Sequence, residues 1–277
     1  MSPAPLSSRY RTALVTGAST GLGLAFTDML LAGGVEVWGT AREASRLAAR
    51  PRFHPVVLEL GDGPAAERAF QGAEQAAGGF DLVINNAGFG VFGAFAATDF
   101  AAWEEQFRVM FVNTARLSHL ALRGMLARQR GALVNISSLA GEFGLPYQAA
   151  YNAVKAGLSA LNEGLMYEVK GTGVIVIDFR PGDYRTDFEG SVRRPGQPGL
   201  DPLNAGRMSR AWAVFESMMR SGPAPSHAAA ALERALWRGR SGTVRTGRFF
   251  QAGLAPFLAR FGTLALKRRI QEFYFGL

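Results

Sequence analysis

The sequence predicts an α/β fold built on a doubly wound parallel sheet, and two observations carry that prediction. Short apolar runs of strand length alternate with segments of helical periodicity through most of the chain. A glycine-rich loop, "TGASTGLG", joins the first of these runs to the first helical pattern. The 277 residues are 48% apolar, enough to bury one full core, so a single domain over 1–277 is expected, with its core at about residues 10–250.

The first run is "RTALVT", and the helix that follows the glycine loop places Leu22, Phe26, Met29 and Leu30 at helical spacing. "VEVWGT", "FHPVVLEL", "FDLVINN", "GALVNIS" and "GVIVIDF" follow in order, several of them rich in β-branched residues. Such nearly unbroken apolar runs suit parallel strands covered on both faces. Before the last run, Val154, Leu158, Leu161, Leu165 and Val169 form a long helical stripe. Ligands of such sheets bind at the carboxyl ends of the strands. After Phe179 the regularity lapses. "RRPGQPGLDPLNAG" interrupts any regular element and sits beside the helical "RMSRAWAVFESMMR". Residues of about 183–225 are read as a substrate lid, with a plain surface insertion as the alternative. The extension over about 248–277 is apolar and basic by turns, and three roles are open to it: packing on the domain, joining subunits, or peripheral contact with a membrane.

Composition excludes several chemistries. There is no cysteine, which removes disulfides, thiol catalysis and thiolate metal sites. The three histidines, His54, His119 and His227, share no ligand spacing, so no metal site is expected and each is read as structural. The net charge of +8 is spread along the chain, densest in "SVRRPG" and "LKRR", without a basic recognition helix, so no nucleic-acid partner is expected. No segment reaches the roughly 18 apolar residues of a membrane span, and "MSPAPLSSRYR" lacks the apolar core of a signal peptide. The expectation is a soluble, cytoplasmic protein.

The glycine loop is the first chemical motif. Gly17, Gly21 and Gly23, with Ser19, Thr20 and Leu22 between them, stand where a strand turns into a helix. Glycines there permit a tight turn while backbone N–H groups face a pyrophosphate. The second strand ends "WGTAR". An acidic residue at that point serves the ribose of NAD, whereas here Ala41 is followed by Arg42, whose cationic fork suits the extra phosphate of NADP(H). Glu43 is assigned to a following helix.

The form T-G-x-x-x-G-x-G resembles the classical short-chain dehydrogenase/reductase family, whose fold is of the Rossmann type. Over roughly residues 10–190 further fragments stand in that family's order: "NNAG" after the fourth strand, "FVNT", "NISS" after the fifth, "YNAVK", and "RPGDYRT" after the sixth. The resemblance implies Asn86, Ala87 and Gly88 beside the cofactor, Glu59 and Leu60 near its adenine, and Pro181, Gly182, Tyr184 and Thr186 at its nicotinamide end. The family's usual adenine-site residue is Asp. Glu59 stands there, with Asp62 three positions on.

Tyr151 and Lys155, four residues apart, share one helical face, where the ammonium is placed to lower the phenol's pKa. The resemblance implies that Tyr151 transfers a proton to or from the substrate oxygen and that Ser138, thirteen residues earlier, holds that oxygen. It further implies that Lys155 reaches the nicotinamide ribose and Asn113 orders a water chain leading from Lys155. Val154, where many relatives carry serine, is read as packing. The expected reaction interconverts a ketone or aldehyde and an alcohol. Phe143, Leu145, Pro146 and Gln148, facing Trp212, Phe215 and Met218, indicate a bulky apolar substrate if they line the pocket. "NNAGFGVFGAF" is similar to the retinol and hydroxysteroid dehydrogenase branch, and the family resemblance implies a homodimer or homotetramer. A catalytically silent NADP-binding scaffold or sensor would have lost the serine, tyrosine or lysine, and all three are present. An epimerase or dehydratase of an extended relative fits the loop and "NNAG" less well.

Overall fold

In a computed structural model of the chain, residues 4–254 and 261–277 are described. Residues 1–3 of the expected domain and 255–260 of the expected extension lie outside them. All six expected strands form: β1 (Thr12–Val15), β2 (Glu36–Ala41), β3 (Phe53–Val57), β4 (Leu82–Asn85), β6 (Gly131–Ile136) and β7 (Val174–Pro181). Together with β9 (Gly242–Thr246) they make one parallel sheet in the order β3-β2-β1-β4-β6-β7-β9. The inner strands β1 and β4 are almost wholly buried, as their unbroken apolar runs require. The edge strand β3 carries Pro55 and alternates in burial, which only an edge tolerates.

Helices cover both faces. On one face α1 (Gly21–Ala32) packs beside α7 (Pro225–Arg238), with Phe26, Leu30, Leu232 and Leu236 buried against Val15, Ile84 and Val134. The other face is covered by α2 (Gly63–Ala77), α4 (Asn113–Ala127) and α5 (Ala149–Glu168), through Phe70, Leu117, Met125, Val154 and Leu158. Val154 is therefore a packing residue. The strand order reverses between β1 and β4, and their carboxyl ends diverge into a crevice there.

Three features differ from the sequence expectation. β9 is a seventh strand. Its "GTVRT" is short, alternates in burial and pairs only with β7, so it lacks the apolar run that marked the others. Between β2 and β3 no α-helix forms; Glu43 precedes a single 3-10 turn over Ala44–Arg46. Between α3 (Phe100–Phe107) and α4 the chain makes a π turn over Arg108–Val112, closed by the Asn113 N–H on the Arg108 carbonyl. The histidines are placed as structural residues. His54 bonds Glu36 at 2.8 Å and stacks on Trp38, His227 bonds the Tyr184 hydroxyl at 2.9 Å, and His119 is exposed on α4.

Residues 183–225 lie against the carboxyl end of the sheet. The two-residue β8 (Val192–Arg193) pairs with β5 (Gly90–Val91), and α6 (Pro202–Ser221) is capped at its start by the Asp201 carboxylate. The C-terminal helix α8 (Leu264–Phe275) packs on the domain. Gln271 donates to the Gly144 carbonyl at 2.6 Å, and Arg210 of α6 donates to the Gly276 carbonyl at 2.8 Å. The helix thus bridges the loop after β6 and the segment expected as a lid. Among the described residues no helix is long and apolar enough to cross a membrane.

Candidate active site

A cavity of about 680 Å³ opens at the carboxyl ends of the strands. Its floor is the glycine loop. Gly17 and Gly21 have φ of +68° and +58°, which only glycine adopts without strain. Gly23 is required for a different reason: a Cβ there would stand 2.0 Å from the Gly17 carbonyl oxygen. The loop is held from beneath by Thr16, whose hydroxyl accepts from the N–H groups of Asn86 (2.9 Å) and Ala87 (3.0 Å). Asn86 returns a bond from Nδ2 to the Thr16 carbonyl at 3.0 Å. Thr16 and Asn86 therefore lock two distant motifs into one surface. The far wall closes close by, since a Cβ on Gly21 would lie 3.4 Å from Thr186 Cβ.

At one end of the cavity lie Ser19, Thr20, Arg42, Glu59 and Leu60. Thr20 precedes α1 without capping it, which leaves its hydroxyl free for a ligand. Arg42 is exposed and makes no ion pair among the described residues. Arg46, four residues on in the 3-10 turn, lines the same end. It was legible only as a second arginine beyond the strand end. Asp62 caps α2 through the Ala65 N–H at 2.9 Å, while Glu59 accepts from the Gly61 N–H at 2.8 Å and lines the cavity.

At the other end Ser138, Tyr151 and Lys155 come together. Ser138 follows β6, and its hydroxyl accepts from the Ala140 N–H at 3.0 Å and donates to the Pro181 carbonyl at 3.4 Å, close enough to the Tyr151 phenol to influence it. Lys155 donates to the Ile136 carbonyl at 2.8 Å, and its Nζ stands over the Tyr151 ring, 5.6 Å from the centroid. The i, i+4 spacing does place both on one face. Its electrostatic consequence is not the one expected: burial pushes the phenol up to about 12, the nearby Ser138 hydroxyl opposes this, and the charge of Asp183 adds to it. Burial likewise pulls the Lys155 ammonium down to about 8, opposed by Asp178. Desolvation governs both groups, and the ammonium faces the ring and a carbonyl rather than the phenol oxygen.

Asn113 and Tyr184 are each held by neighbouring residues. Asn113 is buried and does not line the cavity; its Nδ2 donates to the Leu60 carbonyl at 2.6 Å, so its side chain holds the loop after β3. Tyr184 lines the cavity with its hydroxyl bonded to Thr246 (2.7 Å) and His227 (2.9 Å). Pro181, Gly182 and Thr186 line the cavity. Behind them a buried ionic chain braces the end of β7: Arg180 bonds Asp178 at 2.6 Å and Glu142 at 2.7 Å, and Arg245 also bonds Glu142 at 2.7 Å.

The remaining walls are apolar. Phe143, Leu145, Gln148, Phe215 and Met218 line them as expected, joined by Phe188, Phe250 and, from α8, Ile270, Tyr274 and Phe275. Pro146 and Trp212 do not. Trp212 packs on Phe92 and Phe215 and donates its indole N–H to Glu216. The contribution of α8 was not foreseen, because nothing in its periodicity states which surface it covers.

The sequence matches the family described as short chain dehydrogenase over residues 11–196, more than half of the chain. The protein belongs to the short-chain dehydrogenase/reductase family. It is accordingly an oxidoreductase of the nicotinamide-dependent kind. This short-chain dehydrogenase/reductase is 37% identical over 197 residues to an uncharacterized oxidoreductase of Myxococcus xanthus, covering 67% of this chain and 77% of that protein. It is 30% identical over 219 residues to the 3-ketodihydrosphingosine reductase of Bacteroides thetaiotaomicron, covering 79% of this chain and 81% of that one. Among solved structures, a short-chain dehydrogenase from Streptomyces avermitilis superposes with a TM-score of 0.78 at 29% identity, covering 95% of this chain and 96% of the other.

Proposed function

We propose that the protein is an NADP(H)-dependent oxidoreductase that interconverts a ketone or aldehyde and an alcohol on a bulky apolar substrate. The observation that carries this reading is the cavity's division. Ser138, Tyr151 and Lys155 meet at one end, two arginines without ion pairs among the described residues stand at the other, and phenylalanines and methionines wall the space beside the tyrosine. The cleft suits a dinucleotide: its glycine floor leaves no side chain in the way, and Arg42 and Arg46 match a phosphate at the adenosine end. A bound nicotinamide of this type supplies hydride to the carbonyl carbon. The chain's own residues do the rest. Tyr151, protonated at neutral pH, gives its proton to the carbonyl oxygen, Ser138 holds that oxygen, and Lys155 carries the charge beside the phenol. The similarity to a 3-ketodihydrosphingosine reductase supports reduction of a ketone.

The test is a series of ketones of rising chain length, followed by NADPH absorbance. Turnover should rise with chain length until the cavity is filled; no turnover of any ketone with intact NADPH binding would favour a silent NADP-binding scaffold. Cofactor choice has its own prediction. Replacing Arg42 with Asp should move the ratio of kcat/KM for NADPH over NADH at least about 100-fold towards NADH, since a phosphate then meets a carboxylate. An unchanged ratio would refute the assignment of Arg42.

A further inference from the structure

A carboxylate stands in the apolar part of the cavity beside the reacting end. Asp183, directly after Pro181 and Gly182, lines it together with Ser138, Tyr151, Met218, Phe250 and Tyr274. Its carboxylate is oriented by Gln251, whose Nε2 donates to Oδ2 at 2.5 Å and whose Oε1 accepts from the Asp183 N–H at 3.4 Å. Oδ1 makes no hydrogen bond to any described residue, and Asp183 forms no ion pair among them. Arg248 is the cation whose field reaches it, and that guanidinium is engaged with the Ser221 carbonyl. Asp183 is also within electrostatic reach of the phenol of Tyr151. A carboxylate held by one neutral amide amid aromatic and methionine side chains is poorly solvated, and burial pushes its pKa up. The Gln251 bond and the field of Arg248 offset part of that cost, and no cation among the described residues pairs with the carboxylate directly.

We propose that Asp183 is a substrate-recognition residue, and that the site takes a hydrophobic ketone or alcohol bearing a protonated amine next to the reacting carbon. The proposal rests on the reaction class given above. An ammonium seated at Asp183 restores the missing ion pair at the edge of the reacting end, while the alkyl chain runs along the wall of Phe215, Met218 and Ile270. Specificity follows, because a ketone lacking the amine leaves the half-buried carboxylate without a cationic partner.

The experiment uses the full chain with NADPH and three probes of equal alkyl length: an α-dimethylamino ketone, the α-hydroxy ketone and the methyl ketone. The amino ketone should be preferred over the methyl ketone at least about tenfold in kcat/KM, mostly through KM. Asp183→Asn, isosteric and uncharged, should reduce kcat/KM for the amino ketone at least about tenfold more than for the methyl ketone. Equal losses on all three probes, or a preference for the hydroxy ketone that Asp183→Asn abolishes, would overturn the proposal. Calorimetric binding of octylammonium against octanol, in wild type and Asp183→Asn, reads the site without turnover. Octylammonium binding that depends on Asp183, with no ketone reduced, would sustain the amine site and sink the reaction class. Octylammonium binding no tighter than octanol would sink the amine site even where ketones are reduced.

Discussion

Tyr151→Phe loses about a thousand-fold in kcat for carbonyl reduction while NADPH binding, read by fluorescence titration, stays within about twofold. The substitution removes one oxygen and keeps the ring, so the contacts of the aromatic face with Phe188 (6.2 Å between centroids) and with Lys155 Nζ survive. What is lost is the hydroxyl proposed as the proton donor. The pH profile of the wild type distinguishes the partners. Tyr151, pushed up to about 12, remains protonated throughout the working range and contributes no limb. Lys155, pulled down to about 8, is charged below that pH and neutral above it, so the rate of reduction should fall as pH rises through about 8. A rate that holds level to pH 10 would remove Lys155 from that role. Retention of more than about a tenth of wild-type turnover in Tyr151→Phe would overturn the proton-donor assignment itself.

Gly23→Ala should abolish detectable NADPH binding and lower Tm. The new methyl would stand 2.0 Å from the Gly17 carbonyl oxygen and 2.5 Å from Asn86 Nδ2, and the first of these is backbone that cannot swing aside. Either α1 lifts from β1 or the loop opens, and both displace the floor of the cavity. Overpacking of this kind costs about 1–3 kcal/mol in stability. Gly72→Ala is the matched control, since a Cβ there meets nothing within 4 Å and the position lies inside α2. It should raise stability by about 0.5–1 kcal/mol and leave NADPH binding as it is. Equal binding in the two variants, measured side by side with thermal unfolding, would show that Gly23 does not shape the cofactor floor.

Much of this site is written locally. Gly17, Gly21 and Gly23 identify themselves because the backbone conformation and close approach they permit are properties of single residues at a strand-to-helix junction. Tyr151 and Lys155 share a face because helical spacing requires it. Where the outcome depended on distant neighbours, the reading stopped short. β9 has no apolar run because it is an edge strand, and its place beside β7 is set by pairing rather than by pattern. Trp212 has the composition of a pocket residue but is drawn into the Phe92 cluster. Asn113 is implied by resemblance to order a water chain, and only the fold shows that its side-chain amide spans the gap to Leu60, fifty-three positions earlier in the chain.

The sequence by itself determined the parallel sheet, the order of its first six strands along the chain and the residues gathered at the switch between β1 and β4. These follow from periodicity, glycine stereochemistry and residue type, which are local. Tertiary structure alone decided how the site is charged and enclosed. Burial, summed over every surrounding element, raises the Tyr151 phenol and lowers the Lys155 ammonium. The approach of α8 to Gly144 and α6 completes the apolar wall. The packing of residues 183–251 leaves Asp183 beside the reacting end with Gln251 as its sole hydrogen-bond partner among the described side chains. Desolvation and enclosure arise from many residues at once, and no short stretch of sequence contains them.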